Sequence, residues 1–427
     1  MFNQGGLSLD QAPPLFVVLG FFIMASVFGV LLGLFLLLDN TGLLTFFSNG
    51  KSLFITHTLA LGVMASFMLG ALFQMLPVIA GVSIKTPTKK VFIVQTLFIV
   101  GLLIQLYAFL NGSLPLLYFL ASAYLGVGLL YAMVIMLKEL IKIKDHSSSS
   151  KGMVFSLISF TLAILFGIYL LLTLGGYVDG ILFTQVKEIH YSFALFGWVS
   201  LLVISVSFQV VEMFYVTPKY PKWMSSYLTL IVFALLLVKG VAIFMNFQIE
   251  IITVLLSLLF IIYGGVTLHR LYLRKRPTSD ATVWFWRLGM GLFIVSMIIT
   301  LLDTFFEINP EVKMLSYVTF IGFALSIVLA MTYKIIPFLT WFHLSNQGYM
   351  KAPMMHEVIH PKKAKIQFYM HVTMLVILMI SLFVNLAFVE VLASLLVLGS
   401  FGWLLYNLVY AMKKYLYTQK HTEKFEW

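Results

Sequence analysis

The residues of this 427-residue chain that are equipped for chemistry fall at regular spacing in three long apolar segments. The segments run from His57 to Gly81, from His190 to Pro218 and from Tyr317 to His343. Aligned on Gly62, Gly197 and Gly322, each carries a polar side chain twelve positions later: Gln74, Gln209 and Lys334. Three positions beyond these come Pro77, Glu212 and Pro337. Neutral imidazole is a good ligand for haem iron or copper when an acceptor holds the proton on its other nitrogen. His57 and His190 are therefore candidate metal ligands, against the plainer role of interfacial histidines. Tyr317 stands at the matching place of the third segment, where it would ligate iron as phenolate or belong to the aromatic belt of a membrane interface.

The second set, Gln74, Gln209, Glu212 and Lys334, is brought to a common depth by the repeat. Lys334 and Glu212 carry opposite charges, so the expectation is a pair between helices that offsets the cost of holding either in hydrocarbon. A structural bond between helices is the leading reading and a proton or substrate path the sharper one. Pro77 and Pro337 release backbone carbonyls nearby, which suits a cavity or a kink. Lys239 and His371 are further ionisable groups inside apolar runs, where each needs a partner or a function. Arg287 is close enough to the end of its run to snorkel. His343, His356 and His360 share one loop, but no zinc-like spacing relates them, and solvated histidines are the better reading.

The elements that must carry these residues follow from composition. Hydrophobic residues make up 61% of the chain and charged residues 10%, far from the roughly one-quarter charged residues of a soluble domain. A helix needs about twenty apolar residues to cross the hydrocarbon core. Twelve runs qualify, near 15–38, 53–80, 91–110, 114–137, 153–176, 189–215, 225–246, 250–268, 283–302, 314–340, 366–387 and 389–412. The loops after even-numbered runs, with the C-terminal tail, hold 21 of the 27 basic residues; the loops between hold only Lys51, Lys187 and Lys313. By the positive-inside rule both termini lie in the cytoplasm, and the bacterial-type inner membrane is the expected location. The expected fold is an all-α polytopic membrane protein, a single membrane domain spanning 1–427. Its three pseudo-symmetric four-helix units cover about 15–137, 153–268 and 283–412. Ser147 to Ser150 read as a flexible linker, and Met1–Pro14 lacks the basic start of a cleaved signal peptide.

Several classes drop out. With no cysteine there are no disulfides, thiolate metal sites, iron–sulfur clusters or cysteine nucleophiles. The net charge of +11 sits in short loops rather than on a soluble basic domain, so no nucleic-acid partner is expected; the lipid bilayer is. No GxxxxGK[ST], GxSxG or HExxH motif occurs, which removes ATP-driven transport on this chain and the corresponding hydrolases.

Twelve helices in three arcs, with histidine near the start of the second and sixth, resemble the haem–copper oxidase subunit I superfamily and its NnrS-like nitric-oxide-response relatives. His57 matches the second-helix histidine that carries the low-spin haem in that family. His190 falls on the helix that supplies a copper ligand there. The resemblance implies one or two b-type haems or copper, and a role in electron transfer, nitric-oxide response or metal handling beside a respiratory redox partner. The departures exclude the oxygen-reducing centre of the family: the seventh helix has no histidine, the tenth offers Tyr317 where a haem ligand is expected, and the paired His-x-His of the NnrS-like group is missing. Two other readings stand beside it. One is a secondary transporter whose polar path runs through Gln74, Glu212, Lys239 and Lys334, because repeats build transporters too. The other is a cofactor-free accessory subunit of a respiratory complex.

Overall fold

A computed structural model describes residues 13–39, 50–112, 114–247, 250–276 and 280–424. Most of the Met1–Pro14 segment lies outside them. Among the described residues twelve helices are long and apolar enough to cross a membrane. They are α1 (Leu15–Asp39), α2 (Gly50–Ala80), α3 (Pro87–Asn111), α4 (Pro115–Leu140), α5 (Ser148–Leu174) and α6 (Phe183–Tyr215), followed by α7 (Lys222–Phe244), α8 (Glu250–Tyr272), α9 (Ala281–Phe305), α10 (Pro310–Asn346), α11 (Pro361–Ser381) and α12 (Ala387–His421). No strand occurs among these residues; one isolated antiparallel bridge joins Tyr349 and Lys424. The protein is thus an all-α multi-pass membrane protein.

Local chemistry sets the helix ends. Pro87, Pro115, Pro310 and Pro361 stand in the first turn of α3, α4, α10 and α11, where a missing N–H costs nothing. Gly112 closes α3 in the left-handed region at φ 58°. Ser147 to Ser150 are not a free linker. The Ser147 hydroxyl accepts the Ser150 N–H at 3.1 Å and caps α5, and Ser149 and Ser150 are buried. A serine run that satisfies the open N–H groups of a helix start is ordered by that duty.

Two compact units are separable. One comprises Met1–Pro13, Phe73–Arg276 and Met297–Ile308; the other comprises Pro14–Leu72, Pro277–Ser296 and Asn309–Trp427. Within the first, α5 packs against α4, α6 and α7, and α3 against α4. Within the second, α1 packs against α12 and the first half of α2, while α10, α11 and α12 pack on one another.

The three glycines used to align the sequence do the same physical work. A methyl group on Gly62 would strike Phe28 of α1, one on Gly197 would strike Ser159 of α5, and one on Gly322 would strike Leu292 of α9. In each case the glycine is the notch that admits the helix preceding its own. The same device joins α1 to α12, since a methyl at Gly33 would lie 2.6 Å from the backbone of Leu398. Backbones that approach this closely gain dispersion contacts, the main attraction between helices where no water is expelled.

Around the first two glycines the helix widens. Thr58–Ala65 and Phe193–Ser200 are π-helical, and both stretches run from four residues before the glycine to three after it. At the end of each, a serine hydroxyl reaches back five residues: Ser66 to the Leu61 carbonyl at 3.3 Å and Ser200 to the Leu195 carbonyl at 3.0 Å. In α6 this stretch also takes a bond from a neighbouring helix, since Ser156 of α5 donates to the Trp198 carbonyl at 3.0 Å. α10 stays α-helical through Gly322, whose carbonyl accepts from Ser326 four residues on at 2.7 Å.

Gly33→Ala should lower the unfolding temperature of the detergent-solubilised protein by an amount equivalent to about 1–3 kcal/mol, the usual cost of overpacking. Gly402→Ala is the matched control in α12, since nothing lies within 4 Å of its added methyl. Equal melting of the two variants would show that α1 and α12 separate at no cost.

Candidate functional site

His57 and His190 lie deeper than the sequence boundaries imply. Each sits seven residues into its described helix, as does Tyr317, counting from Gly50, Phe183 and Pro310. The two histidines, expected near the start of their helices, thus stand in the third turn. Counted back from the aligning glycines, His57 and Tyr317 share a position, and His190 stands two residues earlier. Two residues turn a helix by roughly 200°, so His190 leaves α6 in a different direction from the one the repeat assigns.

The imidazoles share one chemical feature. His57 Nδ1 is 2.8 Å from the Leu53 carbonyl oxygen, and His190 Nδ1 is 2.8 Å from the Ala163 carbonyl oxygen of α5. A carbonyl only accepts, so the proton is on Nδ1 in both rings and Nε2 carries the lone pair. His190 also rests on a glycine, because a methyl at Gly167 would come within 3.1 Å of its ring carbon. Tyr317 is 43% exposed, which fits an interfacial aromatic.

The polar set deeper in these helices separates into local contacts. Lys334 finds its carboxylate in Asp280, just before α9, at 2.5 Å. Glu212 instead accepts the backbone N–H of Tyr220 at 2.9 Å. The expected Lys334–Glu212 pair is thus replaced by two contacts, each within one unit. Asp280 escaped the sequence reading because it lies among loop residues; it caps α9, accepting from the N–H and hydroxyl of Thr282 and from the Val283 N–H. Gln74 is buried, and among the described residues its Oε1 has no hydrogen-bond partner. Gln209 is half-buried. In the same unit as Glu212, burial pushes the Tyr220 phenol up to about 12 against the hydrogen bonds of Thr267 and Ser207. It remains a donor, and its hydroxyl binds Thr267 at 3.1 Å.

His371 is fully buried in α11 and shares a 2.9 Å hydrogen bond between Nε2 and the Ser326 hydroxyl of α10. One turn away begins a network that sequence reasoning missed. Tyr333 donates to Gln367 Oε1 at 3.2 Å, Gln367 Nε2 to the Ser400 hydroxyl at 2.8 Å, and Asn407 Nδ2 to the Tyr333 oxygen at 3.1 Å. Four uncharged polar residues scattered over three apolar runs give no motif to find. In the connection before α11, His360 Nδ1 accepts the Lys362 N–H at 3.2 Å and caps that helix.

Lys239 lies in a cleft of about 480 Å³ whose wall is built from the start of α6, the end of α7 and the start of α8. All three helix ends adjoin the lysine-poor loops. The ammonium is 3.5 Å from the Thr253 hydroxyl and 3.9 Å from Glu188 Oε1, both longer than a close charged hydrogen bond of about 2.7–2.9 Å. Gln185 Nε2 donates to Asn246 Oδ1 at 3.0 Å across the mouth. Asn246 holds its place at φ 58°, a left-handed conformation that asparagine tolerates.

No protein-family model matches the chain, and no curated protein matches it in sequence. The donors themselves must carry the argument. Among the described residues no group of three histidine, cysteine or acidic side chains is gathered to hold a metal ion. A haem takes four nitrogens from its own porphyrin and asks the protein for only one or two axial ligands. Single imidazoles with the proton fixed on Nδ1 suit that demand.

Asp280 has a testable pH signature. Burial raises its carboxyl, but the hydrogen bond and charge of Lys334, with Thr282 and Val283, outweigh burial and hold it below the usual carboxylate range. A carboxyl depressed in the folded state adds stability above the unfolded value, about 3.9, and loses it as pH falls through the folded value. The difference in unfolding temperature between wild type and Asp280→Asn should be full at neutral pH and close on acidification below about pH 4. A difference that persists at low pH would show that the pair contributes nothing.

Proposed function

We propose that this chain is a haem-binding protein of the cell inner membrane, with both termini cytoplasmic, that serves electron transfer or nitric-oxide response without itself reducing oxygen. One observation carries the reading: His57 and His190 each donate from Nδ1 to a backbone carbonyl, so in each ring the lone pair that a metal would need is on Nε2. That bond fixes the tautomer and the ring plane and raises ligand basicity, as outer partners of metal-bound histidines do. The π-helical stretch that follows each histidine supports it further, because such widenings concentrate at functional sites. The topology and the placement of His57 keep the resemblance to the haem–copper oxidase and NnrS-like group as the chemical precedent. The orientation rests on the lysine asymmetry of the loops.

In this reading His57 and His190 would each hold a haem b iron or a copper ion through Nε2, and the bound group would supply one-electron chemistry. The protein's residues set its surroundings. Ala163 and Leu53 accept the imidazole protons, and Gly167 leaves room for the His190 ring. Copper is the alternative occupant, and a respiratory-chain component is the partner class. The transporter reading keeps one supporting observation, the cleft around Lys239.

The test is an absorption spectrum of the purified protein, oxidised and reduced, with iron and copper assays on the same sample. A Soret band should be present. His57→Ala and His190→Ala should each remove or shift haem absorption, and Gly167→Ala, which crowds only the His190 ring, should reproduce a shift of the His190 kind. Protein that holds neither haem nor copper after expression with haem supply would refute the proposal.

A further inference from the structure

We infer that the cleft at the lysine-poor end of α6, α7 and α8 binds a small zwitterion, a molecule carrying an acidic oxygen group and an ammonium a few bonds apart. The inference rests on the cleft alone and is independent of haem.

Three charges face the space: the Lys239 ammonium and the carboxylates of Glu188 and Glu250. Lys239 is the deeper group, its side chain 16% exposed, whereas that of Glu188 is 40% exposed. Among the described residues the ammonium is held only by long contacts to Thr253 and Glu188. A buried cation in a membrane protein is costly unless closely partnered, so this one is poised to take an acidic oxygen from a ligand. A simple anion would have to pass two carboxylates to reach it. A simple cation could lie between the carboxylates but would approach Lys239 with like charge. A zwitterion satisfies both ends, with its acidic group on Lys239 and its ammonium toward Glu188 and Glu250.

The cleft is otherwise suited to a polar guest. Thr253 offers a hydroxyl beside the ammonium, and the Gln185–Asn246 hydrogen bond braces the mouth before any ligand arrives. At about 480 Å³ it falls within the usual range of small-molecule sites, roughly 300–1,000 Å³. The same chemistry is offered by a free amino-acid-like solute and by the phosphoethanolamine headgroup of a lipid.

The experiment uses the full chain in nanodiscs of phosphatidylglycerol alone, with equilibrium binding of labelled glycine and of labelled O-phosphoethanolamine. At least one probe should bind saturably. Acetate and ethylamine, each bearing half the charge pattern, should compete at least about tenfold more weakly. Lys239→Met should weaken binding by about tenfold or more, and Glu188→Gln, at the exposed mouth where folding is not at stake, should also weaken it. Native mass spectrometry from nanodiscs that include phosphatidylethanolamine then separates the sources. Retention of that lipid by wild type but not Lys239→Met assigns a headgroup; soluble-probe binding without retention assigns a solute. No saturable binding of either probe together with no retained lipid would overturn the inference. So would acetate competing as well as glycine, or both folded variants binding like wild type.

Discussion

Close approach of neighbouring helices at glycine is the interaction on which the rest of this structure depends. Lipid tails are as apolar as leucine, so helices gain nothing by hiding from them and must hold one another by contact and by hydrogen bonds. The chain solves this at Gly62, Gly197 and Gly322, each opened to the preceding helix, and again where Gly33 meets the backbone of Leu398. The glycine that admits a neighbour also leaves its own helix open to distortion. At Gly62 and Gly197 the ladder loosens into π geometry, and both candidate ligands lie just ahead of that widening. Packing and the placement of the histidines are therefore one problem with one solution.

The buried polar groups divide into those that are settled and those that are not. Lys334 and Asp280 form a short ion pair that also caps α9, and Tyr333, Gln367, Ser400 and Asn407 are linked by hydrogen bonds between α10, α11 and α12. Such contacts are what a membrane bundle uses as glue. Lys239 differs because its contacts are long and its surroundings open; among the described residues Gln74 Oε1 and Asn407 Oδ1 are buried without a hydrogen-bond partner.

Helix number and approximate limits were legible because a membrane span announces itself by length and apolarity, and all twelve runs read from the sequence are helices. The aligning glycines were legible as a register but not as a mechanism, since nothing in a string of residues says which neighbour fills a notch. The site was less legible. The Nδ1 bond of His190 comes from Ala163, 27 residues away, and the partner of Lys334 is Asp280, 54 residues away, a loop carboxylate with no periodicity to mark it. The charge of Glu212 points to a lysine, but its carboxylate accepts the backbone N–H of Tyr220 in the connection before α7, and no side-chain pattern marks a backbone donor. The serine run from Ser147 to Ser150 shows the same limit. Its composition is that of a linker, and its position is that of a cap.

Lys239 has an electrical consequence. It lies five residues from the end of α7, roughly 7 Å along the axis in a core about 30 Å thick, so its ammonium sits at up to about a quarter of the membrane field. Carrying one elementary charge across 100 mV is worth about 2.3 kcal/mol, and a singly charged guest reaching this depth would feel at most about a quarter of that. A guest with no net charge feels almost none. Occupancy of the cleft by a zwitterion would thus be nearly independent of whether the membrane is energised.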